Sequence, residues 1–563
     1  MKKTLRLIAI CGLATAFATT VAWAGNQKLS SDLQSATASG SVDVIVQYRV
    51  KPTQAHHQRV AMLGGTLRRQ MKLIKGARYS IPRSALKALA NEPDVLYVSP
   101  NRTIKATFDQ ITDGTVHSDY VNAAGQTGAG IGVAIIDSGV ADLPDFYTGG
   151  TSRIVYSQSF VGGTGVDEYG HGTHVAGILA GNGNGTVYIG TVPQANIINL
   201  RVLDASGSGT DDDVIQAIQT AISLKAQYNI KVINLSLGRG VYESYTLDPL
   251  CQAVEAAWQA GITVVVAAGN EGRDNDAGTS GYGTITAPGN DPYVLTVGAI
   301  NSMQTTGRPD DIMTTYSSKG PSLFDDVVKP DILAPGNQIV STLPPGMTLW
   351  NEFPGNQVTG NYFKLSGTSM ATPVVAGAAV AAIEANPGIT NDQVKASLMM
   401  SASKTFPTSS TVVDPDTGVS YTSYYDIFTV GAGELDLQAD LAQTSLPPAG
   451  SAQSPVAVYD AVTGDVTITG VSGANVVWGS NVVWGSNVVW GSNVVWGSNV
   501  VWGSNVVWGS NVVWGSNVVW GSSAAQALNV VWGSNVVWGS STIFAQATVA
   551  EAENSKVIIK GDH

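Results

Sequence analysis

Gly367-Thr368-Ser369-Met370-Ala371-Thr372-Pro373 runs directly into Val374-Val375-Ala376-Gly377-Ala378-Ala379-Val380-Ala381-Ala382-Ile383. A polar loop of small residues carries one serine and feeds a long apolar helix. A serine at the mouth of a helix meets free backbone N–H groups and the positive end of the macrodipole. That setting suits a nucleophile whose attack creates an oxyanion. Taken alone, the same serine reads as an N-cap, so the interpretation depends on what else the chain supplies. Gly132-Val133-Ala134-Ile135-Ile136-Asp137-Ser138-Gly139 reads as a buried strand ending in a carboxylate. Tyr169-Gly170-His171-Gly172-Thr173-His174-Val175-Ala176-Gly177 reads as a turn entering a helix with His171 near its start. The chain order is Asp, His, Ser.

A serine hydroxyl is a poor nucleophile near neutral pH and needs a base poised there, which an imidazole can be. The base in turn needs its tautomer fixed by a third group, a role Asp137 can fill. His174, three residues along, is the alternative base. The two histidines could instead bind a metal, but no third ligand stands at zinc-site spacing.

Together the three stretches resemble the subtilisin-like serine peptidases, the subtilases, over roughly Val116 to Leu441. That family has the order Asp, His, Ser. The resemblance implies a largely parallel α/β sheet flanked by helices, and a catalytic trio of Asp137, His171 and Ser369. By the family pattern His171, not His174, is the base. In Val264-Val265-Val266-Ala267-Ala268-Gly269-Asn270, the matching Asn270 is the oxyanion donor, with Ala268 and Gly269 beside the substrate. Asn234-Leu235-Ser236-Leu237-Gly238 resembles the substrate-binding strand, so Ser236, Leu237 and Gly238 would pair with an extended peptide by main-chain hydrogen bonds. Ala287-Pro288-Gly289 matches a loop at the primary pocket whose proline is typically cis. Asp145 and Asn182 to Gly190 fall where many subtilases hold structural calcium. This loop departs from the usual pattern, which leaves calcium open; the chemistry itself calls for no cofactor. Gly128-Ala129-Gly130-Ile131-Gly132 precedes its strand instead of following one, and so is not a dinucleotide fingerprint.

From Gly130 onward strands and helices alternate, as in an α/β parallel sheet. Asp137, Gly238 and Asn270 each sit just past a strand's carboxyl end, where such sheets collect their sites. The chain's 563 residues imply several domains. Net charge is -12, and no basic tract of the kind that tracks nucleic acid is present. Residues 1–24 read as a secretory leader: Lys2, Lys3 and Arg6, an apolar run, then Ala22-Trp23-Ala24. Cys11 departs with it, leaving Cys251, which falls in an apolar helical pattern and reads as a core residue.

Residues 25–107 read as a lead-in and a small domain. Asn26 to Gly40 is polar and Ser-rich and is expected to be disordered. A βαββαβ pattern then runs from Val42 to Val98 and fits a ferredoxin-like domain. This resembles the inhibitory prodomain of subtilases, the other reading being an accessory domain that stays attached. Ser41 to Lys105 carries twelve Lys and Arg against three Asp and Glu, a net of +9. From Ala106 onward the net is -24. Opposite charge would steer the prodomain onto its enzyme. Self-cleavage is expected between Lys105 and Gly114.

Residues 108–445 read as the catalytic domain and 446–474 as a linker. The hexapeptide Asn-Val-Val-Trp-Gly-Ser then occurs ten times between Asn475 and Ser540, before a mixed tail, 541–563. Val-Val-Trp has high β propensity and Gly-Ser-Asn is turn chemistry, so extended segments are expected. The repeat carries no charge and ten indoles, which favours self-association or attachment to a cell surface. The leading reading is a secreted endopeptidase, made as a self-processing zymogen and acting on proteins or peptides. The alternative makes the repeat the main function, as an attachment or assembly module.

Overall fold

The structure is a computed structural model. It describes residues 28–30, 32–33, 40–106, 123–275, 278–305, 307–414, 417–450, 452–459, 466–469, 559 and 561–562. The leader, the bonds from 107 to 114 and the hexapeptide repeats lie outside the described residues. Two units are present: residues 1–102 with 247–249, and 103–246 with 250–563.

In the first unit, Val44, Val46 and Tyr48 lie on one face of Ser41–Tyr48 and join the apolar core, while Ile45 and Gln47 on the other face are buried as well. The strands line up as Thr66–Met71, Gly76–Pro82, Ser41–Tyr48 and Val95–Pro100, all antiparallel. The helix Gln54–Met62 lies between the first and second strands in sequence, and Leu86–Ala90 between the third and fourth. This is the ferredoxin-like order predicted for the segment. The polar lead-in differs from expectation. Leu29 forms a parallel bridge with Val98, and Leu29 and Leu33 join the apolar core. Arg102 also pairs with Asp32 at 3.1 Å. Two leucines in a Ser-rich stretch carry no periodicity, yet burying each outweighs the ordering cost of a few residues.

The second unit is built on one large sheet. Its order is Ile312–Met313, Leu295–Asn301, Thr263–Ala267, Ile230–Leu235, Gly132–Asp137, Asn196–Arg201, Ile154–Ser159. Ile332–Pro335 also pairs with Leu295–Asn301, and only Ile312–Met313 runs antiparallel. The central strands are largely apolar and buried along their whole length, as strands covered by helices on both faces must be. The helix Thr368–Ala385 is long and apolar enough to cross a membrane, but most of it is buried inside the protein. It is a core helix. Cys251 is likewise buried, with its thiol 3.3 Å from Asn290 Oδ1.

The stretch expected to be a linker is partly built into this unit. Val328 N–H donates to Pro455 C=O at 2.8 Å, and Val456 bridges Val327. Ser454 Oγ donates to Asp331 at 2.5 Å, and Lys395 Nζ lies 2.9 Å from Ser454 Oγ. Val456–Tyr459 and Val466–Thr469 then pair as a hairpin.

Candidate active site

Asp137 ends the central strand and the His171–Ala180 helix begins against it. Gly172 makes that approach possible: a Cβ there would lie 2.2 Å from Gly139 O and 3.1 Å from Asp137 Cβ. As a result His171 Nδ1 sits 2.7 Å from Asp137 Oδ1, both side chains fully buried. Ser138 N–H also donates to that oxygen at 2.7 Å.

Asp167 organises the turn that presents His171, and sequence reasoning missed it. Its carboxylate accepts from Tyr169 N–H, Gly170 N–H, Thr173 N–H, the Thr173 hydroxyl and the Ser138 hydroxyl, at 2.6–3.0 Å. Burial pushes its carboxyl up from the ordinary value against these donors. The only sequence signal is an acid four residues before the histidine, in Asp167-Glu168-Tyr169-Gly170-His171.

His174 lies elsewhere in the same helix. Its Nε2 is 3.0 Å from Phe363 C=O, which fixes the proton on that nitrogen. Burial pushes the imidazole down to about 3. A histidine held neutral and tied to a carbonyl is a core residue, so the structure separates the two histidines that the sequence left as alternatives.

Ser369 opens the apolar helix Thr368–Ala385, and its Oγ is 3.2 Å from Ser236 C=O. Pro373 lies within the second turn. Having no N–H, it cannot bond the carbonyl four residues back, which is that of Ser369. The Ser236 hydroxyl donates to that carbonyl instead, at 2.8 Å, and Asn234 Nδ2 donates to the same hydroxyl at 3.0 Å. Pro373 and Ser236 thereby lock the turn that carries Ser369 to the chain just before Leu237–Gly238.

Asn270 is buried just past Thr263–Ala267. Its Oδ1 accepts from Thr368 N–H at 3.0 Å and lies 3.1 Å from the Thr368 hydroxyl. A backbone N–H can only donate, so the amide orientation is fixed. Nδ2 is then left buried with no partner among the described residues. A buried donor held ready beside a serine suits an anion that exists only during reaction.

The segment Thr103–Ala106 lies in this unit as a middle strand. It pairs antiparallel with Ser208–Thr210 on one side and Leu237–Gly238 on the other, with Ala106 opposite Leu237 and Lys105 opposite Gly238. Arg239 steadies that edge by a two-pronged pair to Asp211, at 2.9 and 3.2 Å. Arg239 and Ala287 exchange backbone hydrogen bonds, and the Ala287–Pro288 bond is cis.

The profile of the Subtilase family matches residues 128–422, more than half of the chain. The chain belongs to the subtilase family. It is 39% identical to the serine protease AprX of Bacillus subtilis over 328 residues, 55% of this chain and 70% of that protein. Subtilisin E of the same organism is 34% identical over 335 residues, covering 59% of this chain and 76% of the relative. Subtilisin of Bacillus pumilus is 36% identical over 281 residues, or 50% and 86%. The subtilase is accordingly a serine-type endopeptidase with the subtilisin α/β fold.

Subtilases in general need no cofactor for their chemistry and often bind structural calcium. The loop considered for calcium does not fit one in this subtilase. Asp145 Oδ1 accepts from the Tyr362 hydroxyl at 2.5 Å, and the oxygen of that hydroxyl lies 2.8 Å from Gly183 C=O. Asn182 Oδ1 accepts from Asn184 N–H at 2.8 Å, while its Nδ2 donates to Tyr147 C=O at 2.7 Å. Arg153, buried, donates to the carbonyls of Asp145 and Ala180 at 2.7 Å and of Ala195 at 2.9 Å. The main-chain carbonyl of Asp145 thus already faces a guanidinium. Among the described residues no group of three or more His, Cys, Asp or Glu could hold a metal.

Proposed function

We propose that this subtilase cleaves peptide bonds through Asp137, His171 and Ser369, with Asn270 as oxyanion donor, and that it is made as a secreted, self-processing zymogen. Ser369 Oγ attacks the scissile carbonyl while His171 Nε2 takes its proton. Asp137, bonded to Nδ1, holds the tautomer and stabilises the imidazolium that forms. The carbonyl oxygen gains negative charge and meets Asn270 Nδ2 and the N–H of Ser369. His171 then protonates the leaving amine, and water repeats the sequence on the acyl-enzyme. Ser236, Leu237 and Gly238 pair with the substrate's main chain, with Ala268 and Gly269 lining the other side of the cleft.

The observation that carries this reading is the register of Thr103–Ala106. Ala106 pairs with Leu237, and extending that antiparallel ladder by one position would set a peptide residue against Ser236, whose carbonyl contacts Ser369 Oγ. A peptide running this way delivers the Thr107–Phe108 bond to the serine. The chain's own segment occupies the substrate's strand, and release of residues 25–107 leaves a product that competes for the same edge as an inhibitor. The leader read in residues 1–24 supports export, in keeping with homologues that are generally secreted.

Mass spectrometry of wild-type and Ser369→Ala protein, made in a peptidase-free host, tests this. Wild type should begin at Phe108, and Ser369→Ala should retain residues 25–107. Normal processing of Ser369→Ala would overturn self-cleavage, and a cut beyond Gly114 would overturn the register.

A further inference from the structure

The sequence reading gave the segment after the repeats no role, yet its described residues are seated in the catalytic unit. Asp562 is buried and its side chain is fully enclosed. Arg273 Nη2 donates to Asp562 Oδ1 at 2.7 Å, and the Thr315 hydroxyl donates to the same oxygen at 2.7 Å. Thr315 N–H donates to Oδ2 at 2.6 Å. The backbone is read as well. Asp562 N–H donates to Asn337 Oδ1 at 3.0 Å, and Asn337 Nδ2 donates back to Asp562 C=O at 2.9 Å. That reciprocal pair imitates one rung of a β-ladder. Asn356 Nδ2 holds the carbonyl of Ile559 at 2.9 Å.

The preceding position admits only glycine. Gly561 has φ +68, and a Cβ there would lie 2.6 Å from both Asn337 Oδ1 and Ser366 Oγ. The receptor is itself assembled. Arg273 is fixed by Asp414 at 2.8 Å and by Thr315 Oγ1 at 2.6 Å, and its guanidinium lies over the Tyr421 ring. A charged residue oriented from three sides and a buried asparagine facing a peptide unit make a site for Gly-Asp, not a chance surface contact.

We propose that Arg273, Thr315 and Asn337 form a receptor for the chain's own Gly561-Asp562 segment, which fastens the polypeptide back onto the catalytic unit after the repeats. Ser454 and Val456 anchor the chain on the near side of the repeats. With Asp562 anchored on the far side, the ten hexapeptides are tethered at both ends to one catalytic unit. Such a segment is presented as a closed loop, and a single nick within it does not release the repeats. The receptor also adjoins the catalytic loops: Arg273 follows Asn270 by three residues, and Ser366 precedes Ser369 by three.

The test uses full-length protein bearing Ser369→Ala, which prevents self-digestion and makes the readout binding, not activity. A recognition site for a sequence-specific protease is inserted between Ala545 and Gln546 and then cut. The small fragment should remain with the large one through gel filtration. A synthetic peptide of residues 556–563 should displace it. Asp562→Ala, and separately Gly561→Val, should release it about a hundredfold faster, since each removes contacts to a charged group or blocks the fit. Both substitutions lie in the segment itself, so the fold of the catalytic unit is not at risk. Immediate loss of the unsubstituted fragment, or equal retention of the Asp562→Ala fragment, would overturn the proposal. A dimer that Asp562→Ala converts to monomer would show exchange between copies and overturn closure within one chain.

Discussion

The two ends of the helix His171–Ala180 make opposite use of the same feature. At its start the helix presses against the end of the Gly132–Asp137 strand and delivers an imidazole to a carboxylate at 2.7 Å. At its end, the Ala180 carbonyl meets the guanidinium of Arg153 at 2.7 Å. The negative end of the helix dipole favours a cation there. On the proposed mechanism the first end serves chemistry; the other serves stability and satisfies its acceptor with a fixed charge. Substitutions at the first end should therefore abolish turnover while leaving the fold intact, and those at the second should do the reverse.

The strongest way to break that contrast is His171→Ala. In subtilisin itself, loss of the serine or histidine lowers turnover by about 10⁶, and the same loss is expected here. Hydrolysis of a soluble peptide should vanish while the melting temperature moves by only a few degrees. Retention of a hundredth of wild-type turnover would remove His171 from the mechanism.

Asn270→Ala is the next largest effect. The subtilisin figure for an oxyanion asparagine is about 10²–10³ in kcat. KM should change little, because Nδ2 has no ground-state partner among the described residues. A loss expressed wholly in KM would instead make Asn270 a substrate-binding residue. The substitution also strips an acceptor from Thr368 N–H, so a melting curve must accompany the kinetics.

The stretches that bring His171 to Asp137 and set Ser369 at a helix start were legible in the sequence because their information is local. Gly-His-Gly-Thr-His and Gly-Thr-Ser-Met-Ala-Thr-Pro each set a turn, a helix start and a reactive side chain within a few residues. The sheet was equally legible, since residues 132–136 and 264–267 are unbroken apolar runs within their strands. What escaped was long-range polar pairing. Arg153 meets Ala180 and Ala195, and Asp562 meets Thr315 across 247 positions. Single polar residues have no period, and their partners are chosen only once the sheet has closed. Asp211 to Asp213 carry both kinds of information: they start a helix, where their charge suits the dipole, and Asp211 also holds Arg239 beside Leu237–Gly238.

Arg153→Met tests the stability end. It removes donors from three carbonyls and leaves them in a buried setting, at a cost of about 3 kcal/mol. Urea unfolding in the Ser369→Ala background should show that loss, while the active enzyme bearing Arg153→Met keeps turnover within about threefold at 25 °C. Because Asp145 is engaged by the Tyr362 hydroxyl and Arg153, excess chelator should leave the parent's melting temperature unchanged. A drop of about 10 °C in chelator would mean that a metal stabilises the protein after all.

The smallest effect separates His171 from His174 by pH. His174 carries an ordinary imidazole value of 6.5 when unfolded, and burial lowers it to about 3 in the folded protein. Between those values the unfolded chain binds a proton that the folded chain refuses. Stability from this group is therefore complete above pH 6.5 and is lost as pH falls toward 3. At pH 5 the loss is about 2 kcal/mol, or roughly 4–8 °C at about 2–4 °C per kcal/mol. His174→Gln keeps a donor for Phe363 C=O but cannot take up the proton. Melting Ser369→Ala and Ser369→Ala/His174→Gln proteins at pH 7.5 and 5 cancels the acid response of all other groups in the difference. The His174→Gln protein should lose less stability on acidification, by that amount. Parallel pH profiles for the two would show that His174 is not the buried neutral group, and the distinction between the two histidines would fail.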